Sequence, residues 1–133
     1  MKKAYLSIGY QSRKDREPEI ETMRQVLHDL EISLYVFVDT YHFSPKEEKQ
    51  MMQQAFTDIS TSVLLLAETS EKAIGVGIEI GYAAALNIPV ICLRNVVSEH
   101  STTAAGTADY AIIYENNADL AQKLRAIVTS LEI

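Results

Sequence analysis

The sequence predicts an α/β fold: a doubly wound, five-stranded parallel sheet with helices on both faces. Five short apolar runs alternate along the chain with segments that have helical periodicity or helix-start signals. These runs show little alternation of apolar and polar residues, which is typical of strands buried on both faces and therefore of a parallel sheet. The length of 133 residues fits one domain, so residues 1–133 are taken as a single unit.

The predicted elements follow one another without a linker or a repeat. The predicted strands are Lys3–Gly9, Ser33–Val38, Val63–Ala67, Val90–Leu93 and Asp109–Tyr114. The predicted helices are Pro18–Leu30, a helix that begins at the capping sequence Ser44–Glu47, a helix around Glu79, and Asp119–Leu131. Gln11–Glu17 and Glu68–Gly77 are predicted loops, Asn95–Thr107 has no clear period, and Met51 and Met52 are expected to fill the core.

The carboxyl ends of the strands define the expected binding edge, because ligands of doubly wound sheets bind there, near the reversal of strand order. This rule places Ser7–Tyr10, Asp39–His42, Glu68–Gly77 and the chain from Asn95 onward along one rim. The candidate ligand contacts on this rim are Ser7, Gly9, Tyr10, His42 and Glu68.

Composition excludes several classes of function. The net charge of −6 argues against binding to a nucleic-acid polymer, which needs a basic surface. Cys92 is the single cysteine and is expected to be buried, so no disulfide forms within the chain and a reducing, cytoplasmic location is predicted. The apolar run after the N-terminus is too short for a signal peptide or a membrane span. Three scattered histidines form no metal-binding pattern, and no cofactor is predicted.

The segment from Ala73 to Pro89 combines Gly75 and Gly77 with a single carboxylate, Glu79, in the first turns of the predicted helix. Glycine lets the backbone approach a ligand, and the free N–H groups of a first helical turn attract an anion. The spacing nevertheless matches neither the dinucleotide-binding loop nor the P-loop.

Glu79 has two interpretations. It can simply complement the positive end of the helix dipole. Alternatively, the same field keeps the carboxylate ionised, as a nucleophile toward a sugar carbon requires. Glycosidic cleavage usually employs a second carboxyl group, for which Asp58, Glu68 and Glu71 are the candidates.

Residues 64–83 (Leu-Leu-Leu-Ala-Glu-Thr-Ser-Glu-Lys-Ala-Ile-Gly-Val-Gly-Ile-Glu-Ile-Gly-Tyr-Ala) resemble the nucleoside 2-deoxyribosyltransferase superfamily. They look most similar to its 2'-deoxynucleoside 5'-phosphate N-hydrolases, which share an Ala-Glu pair, Gly-Val-Gly and a Glu-hydrophobic-Gly step. The segments Ala4–Gly9 and Arg13–Arg16 are similar too, so the resemblance covers most of the chain and is loosest near 95–107. It implies a flavodoxin-like sheet with strand order 2-1-3-4-5.

The resemblance also implies a mechanism and site residues. The matching glutamate of the family, here Glu79, attacks the anomeric carbon of a nucleoside or nucleotide and forms a glycosyl-enzyme ester. Water then releases the sugar in the hydrolases, whereas a second base accepts it in the transferases. The family's early tyrosine matches Tyr5, and the loop whose backbone binds the 5' end of the substrate matches Gly75 and Gly77. The family forms dimers or larger oligomers in which a neighbour's loop, here Ser98–Thr103, completes the pocket.

Several positions depart from the family pattern. Ala55 stands where the family has an aspartate, and Asp58, one turn later, is a candidate replacement. Ala73 stands where the hydrolases have a phosphate-binding serine and the transferases an aspartate, and Gln11 where the hydrolases have an arginine. Candidate replacements for phosphate binding are Arg13, Arg16, and Ser101 and Thr102 from a partner chain. Two functions therefore remain open: an enzyme cleaving an N-glycosidic bond, and a catalytically weak module that binds a nucleotide as a sensor.

Overall fold

The computed structural model describes residues 1–133 as five strands and seven α-helices. The strands are β1 (Lys2–Ser7), β2 (Ile32–Val36), β3 (Leu64–Glu68), β4 (Val90–Asn95) and β5 (Tyr110–Tyr114). The helices are α1 (Tyr10–Asp15), α2 (Glu17–Asp29), α3 (Phe37–Thr40), α4 (Glu48–Ser60), α5 (Ile74–Ala85), α6 (Thr102–Thr107) and α7 (Asn117–Leu131). All neighbouring strands pair in parallel in the order β2-β1-β3-β4-β5, which confirms the predicted fold and strand order.

The sheet separates two apolar cores, because successive residues of a strand point to opposite faces. Along β3, Leu64 and Leu66 pack into a core with α2 and α7, whereas Leu65 and Ala67 pack into a core with α4 and α5. Every residue of β3 is buried, as expected for the central strand of a sheet covered on both faces. Each buried leucine contributes roughly 1.5–3 kcal/mol relative to an exposed one.

Two segments near the first two strands differ from the prediction. Residues 11–15, predicted as a loop, belong to α1, a short polar helix whose six residues give no apolar stripe to recognise. The second strand ends at Val36 rather than Val38, and Phe37–Thr40 turns into α3.

The predicted capping sequence is present. Ser44 N–H donates to Glu47 Oε1 over 2.9 Å, but the first turn, Pro45–Glu47, is a 3₁₀ turn and α4 follows at Glu48. Short 3₁₀ turns are frequent at the ends of α-helices, so the capping sequence marks the start of the turn rather than of α4 itself.

The later segments also gain helical structure. Gly75 and Gly77, predicted to end a loop, lie within the first turn of α5, so the loop is shorter than expected. Asn95–Thr107, which showed no period, contains α6, capped by Ser101, whose Oγ accepts the N–H of Ala104. Cys92 is buried as predicted, and burial raises the pKa of its thiol to about 11.

None of the helices is both long and apolar enough to cross a membrane.

Candidate active site

Glu79 lies in the second turn of α5, where the helix packs against β1. Tyr5 and Ser7 are two residues apart on β1 and therefore face the same side of the sheet, toward α5. The Tyr5 hydroxyl donates to Glu79 Oε2 and the Ser7 hydroxyl donates to Glu79 Oε1, both over 2.6 Å. Each carboxylate oxygen thus has a short, charge-assisted hydrogen bond from a fixed strand.

Burial and hydrogen bonding act on Glu79 in opposite directions. Glu79 is 9% exposed, and this burial raises the pKa of its carboxyl group above the ordinary value, while the hydrogen bonds from Ser7 and Tyr5 lower it. Burial, reinforced by the neighbouring Glu79 charge, also raises the pKa of the Tyr5 phenol, which keeps it a protonated donor. Besides the field of α5, two hydroxyl donors thus favour the ionised carboxylate against the effect of burial.

A cavity of about 410 Å³ opens above Glu79. Its lining combines Glu79 with aromatic, aliphatic and glycine residues: Tyr5, Leu6, Ile8, Gly9, Tyr10, Phe37, Val38, Tyr41, His42, Phe43, Met51, Met52, Ala73, Gly75 and Val76. The volume falls within the range of small-molecule sites, which are mostly apolar with a few fixed polar groups. A carboxylate at an apolar cavity can meet a ligand with most water excluded.

Aromatic rings form one wall of this cavity. Phe37 stacks against Phe43 with centroids 6.2 Å apart, and Tyr41 packs against both rings at 5.2 and 5.6 Å. The Tyr5 ring continues the wall at 6.1 Å from Phe37. Such a surface provides stacking area for a planar, aromatic ligand.

The first predicted contacts on the rim, Gly9, Tyr10 and His42, do line the cavity. Sequence reasoning missed Met51 and Met52, which were expected in the core but line the cavity and are only partly buried. A helical stripe shows that two residues share a face, but not whether that face meets the core or a cavity.

A close approach of two loops shapes the cavity floor. A Cβ added at Gly9 would lie 3.1 Å from the Cβ of Ala73, a tighter contact than usual, so glycine lets the β1–α1 loop approach the start of α5 closely. Gly75 also lines the cavity, but a side chain there would meet nothing within 4 Å.

The family model of the nucleoside 2-deoxyribosyltransferases matches residues 4–128. This chain belongs to that family. Membership agrees with the resemblance of residues 64–83, and it supports an enzyme that breaks an N-glycosidic bond or transfers deoxyribose.

Individual proteins are similar to this chain in sequence or in fold. A segment of 41 residues, 31% of this chain, is 51% identical to a Syntrophotalea carbinolica protein named as a 2'-deoxynucleoside 5'-phosphate N-hydrolase, of which it covers 29%. The CMP N-glycosidase of Clostridium botulinum superimposes with a TM-score of 0.68 at 20% identity, covering 94% of this chain and 99% of that one. The 2-deoxyribosyltransferase of Bacillus psychrosaccharolyticus gives 0.68 at 15% identity, covering 90% of each chain. The two structural likenesses show a shared fold.

Asp58 is not brought to the cavity. Its carboxylate accepts hydrogen bonds from Tyr35 Oη over 2.6 Å and Gln54 Nε2 over 3.1 Å, and lies 3.9 Å from Lys3 Nζ. It lies near the end of α4 and does not line the cavity, although its charge adds to the effects that raise the pKa of the Tyr5 phenol. Ala55, at the position where the family has an aspartate, is fully buried.

Glu68 faces the opposite side of the sheet from Glu79. It continues the alternation of Leu64 and Leu66 along β3, a signal that sequence reasoning overlooked. Its carboxylate is 1% exposed and accepts hydrogen bonds from Tyr114 Oη over 2.9 Å and Ser70 N–H over 2.7 Å. Glu68 does not line the cavity, so the structure does not place it as a ligand contact or a helper carboxyl.

Ser7 and Gly77 also differ from their expected positions. Ser7 hydrogen-bonds Glu79 and is not part of the cavity wall. Gly77 and Ser101 line a second cavity of about 380 Å³ between α5 and α6, together with Thr69, Lys72, Gly81, Thr103 and Thr107. The expectation that Ser101 acts in a neighbouring subunit's pocket stays a prediction.

The arginines expected to compensate for Gln11 are occupied by carboxylates. Arg13 forms a bidentate pair with Asp39, with both N–O distances 2.8 Å, and a further bond to Glu17 over 2.6 Å. Arg16 pairs with Glu19 over 3.1 Å. Neither arginine lines the cavity, and no group of three or more His, Cys, Asp or Glu side chains is placed to hold a metal ion.

Proposed function

We propose that this chain cleaves the N-glycosidic bond of a nucleoside or deoxynucleoside, or of its 5'-monophosphate, with Glu79 as the nucleophile. The reaction is hydrolysis or transfer of the sugar to a second base. The observation that carries the proposal is the Glu79 carboxylate beside an apolar cavity, with Tyr5 and Ser7 each donating to one oxygen over 2.6 Å. Membership of the deoxyribosyltransferase family supports the same reaction class.

The proposed reaction has two displacement steps at the anomeric carbon. A Glu79 oxygen attacks that carbon and forms an ester, while the bond to the base breaks and its electron pair stays on the base nitrogen, which takes a proton from solvent water. Water, or a nitrogen of a second base, then attacks the same carbon and loses a proton, and the ester bond breaks to restore the carboxylate. Tyr5 and Ser7 orient the carboxylate before attack and stabilise it when it leaves.

The aromatic wall of the cavity suits the base. Phe37, Tyr41 and Phe43 offer flat surfaces for stacking, and His42 adds a group that can exchange a hydrogen bond or a proton with a base edge. In this arrangement the sugar lies near Glu79 and Tyr5, and its 5' end lies near Gly9 and the first turn of α5. The free N–H groups of that turn can donate hydrogen bonds to a hydroxyl or phosphate oxygen there.

The test measures the release of free base by chromatography. The purified protein is incubated with deoxynucleosides, ribonucleosides and their 5'-monophosphates, alone and with a second base. We expect release from at least one substrate, and a loss of at least about 10³-fold in Glu79→Ala. The control is Glu115→Ala, an exposed carboxylate beyond the end of β5, which should release base at the unmodified rate. Unchanged activity in Glu79→Ala would refute the nucleophile.

A second candidate function is a nucleotide-binding module without turnover. The observation that favours it is the lack of a second carboxyl at the cavity: Ala55 is buried, and Asp58 is bonded to Tyr35 and Gln54. Saturable binding of a nucleotide in calorimetry, with no base released from any substrate, would support this function against the first.

We also propose that the chain forms a homodimer or a larger homo-oligomer. Large apolar side chains on α5 and before α6 support it: Ile74 is 86% exposed, Val97 90% and Ile78 47%. Ile74 and Ile78 lie one turn apart on the same face of α5, and exposed apolar patches often mark protein–protein interfaces. Sedimentation analysis at micromolar concentration should give at least twice the chain mass of 14.9 kDa, and a monomer would contradict the proposal.

A further inference from the structure

The carboxylate on the far side of the sheet, Glu68, is built into the structure as thoroughly as Glu79. It is 1% exposed, and its two oxygens accept hydrogen bonds from different parts of the chain, Oε1 from Ser70 N–H and Oε2 from Tyr114 Oη. Burying a carboxylate costs several kcal/mol unless such partners compensate. An apolar residue could fill the position without that cost, which points to a role for the carboxylate in arranging the loops around it.

The partners of Glu68 hold the connection between β3 and α5. Ser70, which donates to Glu68, also accepts the N–H of Asn95 at its Oγ over 2.8 Å. Thr69 N–H donates to Leu93 O over 2.8 Å. The first two residues of the connection are thereby fixed to β4, and through Glu68 and Tyr114 to the end of β5.

The same connection ends at the cavity. Ala73 precedes α5, lines the cavity and lies against Gly9, the residue that introduces α1. Burial raises the pKa of the Glu68 carboxyl, whereas the hydrogen bonds from Ser70 and Tyr114, and then the charge of Arg16 just after α1, lower it. Glu68 is thus hydrogen-bonded to the 69–73 connection, whose last residue, Ala73, meets Gly9 at the cavity.

We propose that Glu68 is a positioning residue that holds the 69–73 loop, and with it Ala73 and Gly75, in the conformation that binds the sugar end of the substrate. The inference rests on the proposed function for the identity of the substrate. Glu68 touches no substrate atom; it acts through Ser70 and the loop. Its loss therefore weakens binding, while Glu79, held separately by Tyr5 and Ser7, keeps its reactivity.

The test separates KM from kcat in three variants, with the nucleoside or 5'-monophosphate that gives the fastest base release as the probe. We expect Glu68→Ala to raise KM about tenfold with little change in kcat, because a hydrogen bond to a charged group is lost. Glu68→Gln keeps an acceptor for Ser70 N–H and should recover most of that loss. Tyr114→Phe removes one hydrogen bond to Glu68 but retains the apolar packing, and it should raise KM about threefold. It replaces Glu68→Ala in the test if that variant does not fold.

A control variant and two contrary outcomes separate a failure of this inference from a failure of the proposed function. Glu115→Ala, next to Tyr114 but exposed, should leave KM unchanged. If the unmodified protein releases base and all three variants keep its KM, or lose kcat at constant KM, the inference is overturned while the proposed function stands. If the unmodified protein releases no base, calorimetric Kd values for deoxynucleoside 5'-monophosphates replace KM, and the same ratios are expected; absence of binding as well would overturn both proposals.

Discussion

Glu79 and Glu68 form a natural comparison, because they are two buried carboxylates at the same rim of one sheet, on opposite faces. Each accepts a hydrogen bond from a tyrosine hydroxyl, Tyr5 for Glu79 and Tyr114 for Glu68. Each also accepts one bond from a serine, and burial raises the pKa of both carboxyl groups.

The difference lies in what each carboxylate faces. Glu79 borders a cavity of about 410 Å³, whereas Glu68 is enclosed by protein on every side. A raised pKa and a full set of hydrogen bonds therefore do not identify a reactive acid, since structural networks produce both. Access for a ligand is the property that separates the two residues, and the comparison predicts large effects on catalysis at one and on binding at the other.

The largest expected contrast is between the two tyrosines. Tyr5→Phe removes a donor from the carboxylate that must be oriented and later released, so kcat/KM should fall about 10- to 100-fold, mostly in kcat, as a charged hydrogen bond of about 1.5–3 kcal/mol is lost. Tyr114→Phe, the matched change at Glu68, should spare kcat. Steady-state kinetics of both variants measure these effects. An equal loss of kcat in the two would contradict the different roles of Glu79 and Glu68.

Both carboxylates should affect the free energy of unfolding in the same direction. Because burial raises both pKa values above 4.5, the folded state binds more protons than the unfolded state as pH rises past 4.5, and the free energy of unfolding decreases over that interval. Glu79→Gln and Glu68→Gln each remove one such group. Each should be more stable than the unmodified protein at pH 7, with the difference vanishing near pH 4.

Urea unfolding at pH 4, 5, 6 and 7 measures this effect. A difference that grows toward low pH would contradict the direction of the pKa shifts. Activity should change with pH in the opposite direction to stability, because only ionised Glu79 attacks. The value of kcat/KM should therefore decline on acidification, with a midpoint above pH 4.5.

The smallest expected effect on catalysis concerns the third candidate acid. Asp58→Asn should leave kcat/KM unchanged, because Asp58 contacts Tyr35 and Gln54 rather than the cavity. It should cost about 1 kcal/mol of unfolding free energy through the weakened bond to Tyr35 Oη. Thermal unfolding and base release measured on one preparation test both parts. A loss of kcat comparable to that of Tyr5→Phe would return Asp58 to the catalytic site.

The sheet was predictable from the sequence because strands buried on both faces form short, continuous apolar runs. The apolar runs at β3 and β4 are short, as buried strands are, and the resemblance supplied the strand order. Short polar elements were missed: α1 has no apolar stripe, and Gly75 and Gly77 disfavour a helix locally although the fold extends α5 over them. Tertiary packing decides such segments.

The candidate site was partly predictable. Position along the rim brought Gly9, Tyr10 and His42 to the cavity, and the family pattern singled out Glu79 and Tyr5. The side of the sheet or helix on which each side chain lies was predicted less well. Alternation along β3 puts Glu68 on the side of Leu64 and Leu66, yet proximity in sequence to Glu79 suggested otherwise. The cavity walls at Met51 and Met52 depend on how α3 and α4 pack, which no local pattern records.

The most direct test of the central claim is to trap the ester. Turnover of the best substrate is quenched with acid, and tryptic peptides are analysed by mass spectrometry. Cleavage after Lys72 and Arg94 yields the peptide 73–94, in which Glu79 is the single Asp or Glu residue. We predict a sugar adduct on this peptide in the unmodified protein and in Glu68→Gln, and none in Glu79→Gln. An adduct on any other peptide, or rapid base release by Glu79→Gln, would contradict the assignment of Glu79 as the nucleophile.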